Sequence, residues 1–209
     1  MTARPDDDNA PLAARKHPTG PAGSHHVTST TRDNDQWTTD PGSLRALTNE
    51  AWGVTSHCFV CEPTNGAGLR IPFFHDEAAD TVTAGFELGP QFSGAPTYVH
   101  GGVLLALLDE AMAWAAIAIG GQWAVTGETT TRFEQPVMVG ELYRVTARIE
   151  DREGASKLTT AAEITDRAGT GRARATATMI VLGEAQAATA AGVTIDELHT
   201  NGDTPLIGD

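Results

Sequence analysis

The chain reads as an α+β domain, one antiparallel sheet curled around a single long central helix. Three observations predict it. One stretch of 17 residues, Val103 to Ile119, is apolar nearly all round, and a helix with no polar face has to be surrounded. Six other stretches alternate apolar and polar residues with the period of two that belongs to strands. The last four of these are joined by connections of hairpin length, which makes them antiparallel neighbours. A sheet in one layer wrapped about one helix buries the apolar face of both.

Residues 1–42 are rich in Thr, Asp, Pro, Gly and Ser, with almost no large apolar side chain before Trp37. Such a segment buries too little surface to offset its ordering entropy and is expected to be disordered. The folded domain is expected over 43–182. It opens with "SLRALTNEAW", where Ser43 as N-cap and Leu44, Leu47 and Ala51 at helical spacing predict a short amphipathic helix. Strands are expected next in "LRIPFF" (Leu69, Ile71, Phe73) and "DTVTAGFEL" (Val82, Ala84, Phe86, Leu88). The loop "GPQFSGAPTYVHGG" leads into the central helix. Four more strands come after it: "AVTGETTTRF", "LYRVTARIE" (Tyr143, Val145, Ala147, Ile149), "KLTTAAEIT" (Leu158, Thr160, Ala162, Ile164) and "GRARATATMIVL" (Ala173, Ala175, Ala177, Met179, Val181). The expected sheet is therefore six-stranded. Residues 183–209 hold five acids and no Lys or Arg, and read as a solvated acidic tail with at most a short helix.

A formal charge of -13 and a pI near 4.8 exclude nucleic acid as a partner, because phosphate backbones call for a basic surface. The tails hold 11 of the 27 acids and 4 of the 14 bases, which leaves residues 43–182 at 10 minus 16, or -6. Eight of those ten bases lie at or beyond Arg132, so a local basic cluster exists late in the domain. The start carries no apolar segment of the signal type, and the cytoplasm is the expected compartment. Two cysteines, Cys58 and Cys61, make no disulfide framework. No membrane span is expected either, since the apolar helix carries Asp109 and Glu110 near its middle, where charge is costly in lipid.

That acidic pair locates the chemistry. In "YVHGGVLLALLDEAMAWAA" (Tyr98 to Ala116), a carboxylate has to be paired, hydrogen-bonded or used. Neighbours on a helix point about 100° apart, so only one can face a given cleft. Asp109 is read as the working group and Glu110 as structural. At His100-Gly101-Gly102 the helix begins, and its unpaired backbone N–H groups attract negative charge. His100 is expected to hold this turn through a ring hydrogen bond.

Three segments carry a resemblance: "CFVCEPTNGAGL" (Cys58 to Leu69), "GAPTYVHGGVLLALLDEAMAWAA" (Gly94 to Ala116) and "RFEQPVMVGE" (Arg132 to Glu141). They resemble the hotdog-fold acyl-CoA thioesterases, in the PaaI-like branch, over roughly residues 44–182. The resemblance implies a hotdog fold and hydrolysis of an acyl-CoA thioester to a free acid and coenzyme A. It implies a homodimer or homotetramer with composite sites; no cofactor is expected. Asp109 matches the carboxylate that attacks the thioester or activates water. Gly101 matches the main-chain oxyanion donor, with His100 and Gly102 beside the substrate. Thr126 is the best match for a hydroxyl that orients the water or the Asp, with Thr129 and Thr130 as competitors. One departure is that Ser93-Gly94-Ala95-Pro96 stands where relatives carry Gln or Asn, and Gln91 is displaced from that place.

Spacing adds a constraint of its own. Gly101 and Asp109 are eight residues apart, about 12 Å along a helix. One thioester carbon cannot lie within about 3 Å of both, so if both are used, amide and carboxylate must come from different subunits. Arg152 and Lys157, with Arg172 and Arg174, are the candidates for the coenzyme A phosphates. Two other readings remain, a hotdog enoyl-CoA hydratase and a non-catalytic acyl-CoA-binding regulator. The hydratase normally shows an Asp and a His about five apart on the loop entering the helix, and "FSGAPTYVHGG" has no such Asp. Cys58 and Cys61, with His57 beside them, form half of a zinc site at most. Such a site wants four ligands, the chain has no second Cys pair, and His75 is the only other nearby histidine in the core. No metal is expected.

Overall fold

The computed structural model describes residues 44–200, so the expectation of disorder over 1–42 lies outside the described residues. The elements run β1 (Leu44–Leu47), β2 (Phe73–Asp76), β3 (Thr81–Glu87), β4 (Ser93–Ala95), β5 (Tyr98–Val99), α1 (Gly101–Ala118), β6 (Ala124–Phe133), β7 (Leu142–Glu153), β8 (Lys157–Asp166), β9 (Gly171–Val181), α2 (Glu184–Ala191) and α3 (Ile195–Thr200). Seven strands form one sheet in the order β1-β2-β3-β7-β8-β9-β6, antiparallel at every pairing. β4 and β5 form a small ribbon at the entrance to α1, tied to the domain by a bridge between Tyr98 and Met138.

α1 packs on one face of the sheet, against β3, β6, β7, β8 and β9. Leu104, Leu107, Leu108, Ala111, Met112 and Ala115 are buried there. They meet the inward set predicted from period two: Val82, Ala84 and Phe86 on β3, Tyr143, Val145 and Ala147 on β7, Leu158, Ala162 and Ile164 on β8, and Ala173, Ala175, Ala177 and Met179 on β9. The run of alanines on β9 faces a helix rich in leucine, and small against large is what lets two surfaces interdigitate. The β7–β8 and β8–β9 hairpins turn at Gly154 (φ 62°) and Gly169 (φ 78°), in the left-handed region that a side chain disfavours.

The main sheet has seven strands rather than six, because the first predicted element is not a helix. Leu44 to Leu47 pair with β2 in the register Leu44 to Asp76 and Leu47 to Phe73. The helical spacing of Leu44, Leu47 and Ala51 spans too few turns to hold a helix alone, whereas the edge of β2 offers backbone partners. After β1 the chain makes a single 3-10 turn, Glu50–Trp52, closed by Gly53 at φ 71°. The strand expected over "LRIPFF" starts only at Phe73. Leu69 and Ile71 are buried as predicted, at 0% and 1% exposure, but their amides donate to Phe59 O (2.7 Å) and Val60 O (2.9 Å). Pro72 has no amide to continue a ladder. The stretch after Leu182 is not wholly solvated: it forms α2 and α3, and Ala187, Ala188, Ala191 and Leu198 are buried in the common core.

Candidate active site

Asp109 and Glu110 leave α1 in different directions, as the helical turn requires. Asp109 is half-buried and faces β6, where Thr126 Oγ1 donates to its Oδ1 at 2.7 Å. Of the three candidate threonines only Thr126 does so; Thr129 Oγ1 donates weakly to Thr176 O at 3.5 Å. The pairing of β6 with β9 shifts register between Thr126 and Glu128. This bulge at Gly127 lies beside the residue whose hydroxyl it presents to the helix, a common use of a bulge near a site. Among the described residues Asp109 has no cationic partner. One hydroxyl therefore orients the carboxylate, and its second oxygen is not committed to that bond.

His100 is the N-cap of α1. Its Nδ1 accepts from Gly102 N at 2.9 Å, the ring hydrogen bond expected of it. His100 N donates to Phe92 O, while Val103 N and Leu104 N both donate to His100 O. The Gly101 amide is left without a partner among the described residues. Gly101 is not glycine for lack of room, since a methyl there would meet the Phe133 ring at 3.5 Å, an ordinary contact. Gly102 is different, because a methyl would come within 3.1 Å of His100 Nδ1 and push on the capping ring. Two aromatic side chains stand exposed at this end of the helix, Tyr98 at 43% and Phe133 at 52%. Phe133 thus stands open beside Gly101, whereas Trp114 is buried.

The displaced Gln91 does not stand in for the missing amide. Its Oε1 lies over Gly89, 2.5 Å from where a methyl on that glycine would be. Ser93 Oγ donates to Pro90 O at 2.7 Å.

The basic candidates divide. Arg152 donates to Ile119 O (3.3 Å) and Gly120 O (3.2 Å), at the C-terminal end of α1, away from Gly101. Lys157 is exposed at the start of β8. Arg172 is held by Asp166 (2.5 Å) and Gln135 (2.9 Å), and Arg174 pairs with Glu134 at 2.9 Å. These two arginines fasten the start of β9 to the loops around it.

Glu110 faces the Cys58–Cys61 loop, a juxtaposition that spacing along the chain could not reveal. Cys58 Sγ lies 3.4 Å from both carboxylate oxygens. Burial first, and then the Cys58 sulfur, push the Glu110 carboxyl up to about 8. Within the cysteine pair, the Cys61 side chain and the backbone amides of Cys61 and Val60 lower Cys58, against its burial. Cys61 is driven upward by Cys58 and by its own burial. His75, the other histidine considered for this place, sits on β2 with Arg45 (3.2 Å) and Asp80 (3.7 Å) instead.

A family model described as the thioesterase superfamily matches residues 97–173, the stretch that holds α1, Asp109 and Thr126. Over that stretch the chain is similar to the thioesterase superfamily. Its curved antiparallel sheet about α1 is the hotdog architecture. A crystal structure of a protein described as a thioesterase superfamily protein superposes with a TM-score of 0.57 at 26% identity, covering 64% of this chain and 66% of that one. Among curated proteins, the acyl-coenzyme A thioesterase THEM4 of Xenopus laevis is 24% identical over 90 residues, 43% of this chain and 40% of that protein. The acyl-coenzyme A thioesterase THEM5 of Mus musculus is 33% identical over 80 residues, 38% of this chain and 32% of that protein. This hotdog chain spans less than half the length of the curated relatives it matches.

Proposed function

We propose that the protein is a cytoplasmic homo-oligomer that hydrolyses acyl-CoA thioesters to a free acid and coenzyme A. The observation that carries this reading is the oriented and otherwise unpaired Asp109, on the same helix as an N-terminal amide left open at Gly101. The Gly101 N–H receives the thioester oxygen and stabilises the negative charge that grows on it as the carbonyl carbon becomes tetrahedral. Asp109 either takes a proton from the attacking water or attacks the carbon itself. Thr126 holds one carboxylate oxygen so that the other points at the reacting atom, a hydrogen bond to charge worth about 1.5–3 kcal/mol. Water then delivers a hydroxyl to the acyl carbon, and the thiol of coenzyme A leaves with a proton.

The site is shared. Eight helical residues separate Gly101 from Asp109, about 12 Å, so the amide of one chain works with the carboxylate of another whose helix runs antiparallel to it. The edge of β6, unpaired among the described residues, supports such an assembly: it is the last strand of the sheet, ten residues long, and exposes Val125 and Phe133. An uncovered edge of that length is a ready partner for another strand. Lys157, and the donors of Arg152 not used on α1, serve the phosphates.

Release of coenzyme A from an acyl-CoA panel (phenylacetyl, benzoyl, butyryl, octanoyl, palmitoyl), followed with a thiol reagent, tests the reading. Turnover by the wild type that falls at least about a hundredfold in a correctly assembled Asp109→Asn is the expected result. Turnover indifferent to Asp109, or none on any member of the panel, overturns it.

A further inference from the structure

The fold gathers three metal-ligating side chains that thioester hydrolysis does not use. Cys58, Cys61 and Glu110 each offer a ligand atom, and these atoms lie within 4.8 Å of one another. We propose that Cys58, Cys61 and Glu110 bind a zinc ion whose fourth ligand is a water molecule.

The distances suit a tetrahedral ion. With Zn–S near 2.3 Å and Zn–O near 2.0 Å, the sulfur-to-oxygen edge of a tetrahedron is about 3.5 Å. Cys58 Sγ stands 3.4 Å from Glu110 Oε1 and Oε2, so an ion fits with little movement of either group. Two thiolates and one carboxylate form a donor set that favours zinc over magnesium or calcium, which prefer oxygen alone.

The loop is built to present sulfur. Val60 N and Cys61 N point at Cys58 Sγ from 3.3 and 3.4 Å, and amides donated to a sulfur favour the thiolate, its ligating form. The loop is braced from behind. Asn65 Nδ2 donates to His57 O (3.0 Å) and Cys58 O (3.2 Å), and Leu69 N and Ile71 N hold the carbonyls of Phe59 and Val60. Gly68 closes the brace: a methyl there would lie 2.5 Å from Phe59 O. Ligands fixed this way need little ordering when the metal arrives.

Charge and space point the same way. Glu110 sits directly after Asp109, and among the described residues no Lys, Arg or His pairs with either carboxylate. A dication supplies the positive charge that this cluster lacks. Beside Glu110 lies a cavity of about 70 Å³, lined also by Asn49, Ala113, Trp114, Ile117 and Trp123. A water takes up about 30 Å³, so there is room for one on the Glu110 side of the cluster, although neither cysteine lines this cavity. The indole N–H groups of Trp114 and Trp123 are buried without a partner among the described residues, and buried donors of that kind call for a polar occupant nearby. Bound there, the ion joins residues 52 apart in sequence and fixes the turn of α1 next to Asp109.

The test is cobalt and zinc binding by the reduced full-length chain, purified without a histidine tag. Cobalt(II) is expected to give a thiolate-to-metal charge-transfer band and the intense ligand-field bands of tetrahedral geometry, saturating at about one ion per chain. Zinc should displace it. Cys58→Ser should roughly halve the charge-transfer band and Cys58→Ser with Cys61→Ser should remove it, while Glu110→Gln should keep a band and weaken affinity at least about tenfold. Asp109→Asn should bind as the wild type does, which separates this site from the catalytic one. Because a serine variant can misfold, the wild type alone also decides: its two thiols should react with a thiol reagent freely after chelation and slowly with zinc bound. Absence of the charge-transfer band in reduced wild type, or thiols equally reactive with and without zinc, overturns the proposal. So does a Cys58–Cys61 disulfide in protein isolated from a reducing cytoplasm.

Discussion

Asp109 and Glu110 are neighbours on one helix and have opposite surroundings. Among the described residues Asp109 receives a single neutral donor, Thr126, and is otherwise uncommitted. Glu110 faces two sulfurs in a braced loop and is pushed toward its neutral form. A rotation of about 100° between adjacent residues is enough to turn one carboxylate to a hydroxyl on β6 and the other to the sulfurs of the cysteine loop. The difference teaches that an acidic pair in an apolar helix is two sites, each defined by the element it faces.

The contrast can be broken most sharply at Asp109, where Asn should lower turnover at least about a hundredfold while leaving cobalt binding unchanged. Next comes the orienting hydroxyl. Thr126→Ala removes a bond to charge worth about 1.5–3 kcal/mol, so kcat should fall about tenfold or more with KM little altered, and Thr126→Ser should recover most of it. Steady-state kinetics on the best acyl-CoA checks both. A smaller effect separates the two glycines. Gly101→Ala has room against Phe133, so melting temperature should hold while kcat/KM drops a few-fold, whereas Gly102→Ala should lower the melting temperature by pressing on the His100 cap.

The smallest change is expected far from both carboxylates. Thr170 N, Arg172 and Ala168 N hold the Asp166 carboxyl below its ordinary range. A group depressed in the folded state adds stability above its unfolded pKa, near 3.9, and that stability is lost as pH falls through the lower folded value. Asp166→Asn should therefore melt slightly below the wild type at neutral pH, with the two curves converging in acid.

Much of the fold and of the site is legible in the sequence. The inward residues of β3, β7, β8 and β9 follow from period two alone, because one face of each strand is buried and the other is not. Asp109 stands out because a charge in an apolar helix demands a reason, and Thr126 is the best positional match among three threonines. β1 escapes such a reading since four residues fit helix and strand equally, and only the edge of β2 decides between them. Glu110 and the cysteine loop cannot be joined in advance, as their contact spans 52 residues and depends on how the chain returns beneath α1. The burial of α2 is hidden by composition, for alanine at Ala187, Ala188 and Ala191 signals neither core nor surface.

The two ends of α1 present different poles to an approaching ligand. At the C-terminal end, the guanidinium of Arg152 covers the carbonyls of Ile119 and Gly120, while at the N-terminal end no described residue covers the Gly101 amide. The helix dipole has its negative pole masked and its positive pole open. On a chain of net charge -13, a polyanion such as an acyl-CoA is repelled at long range and attracted only where such a pole opens. Electrostatic steering then works by exclusion: added salt should speed the first encounter by screening the whole surface, until it begins to weaken the few local attractions that hold the ligand in place.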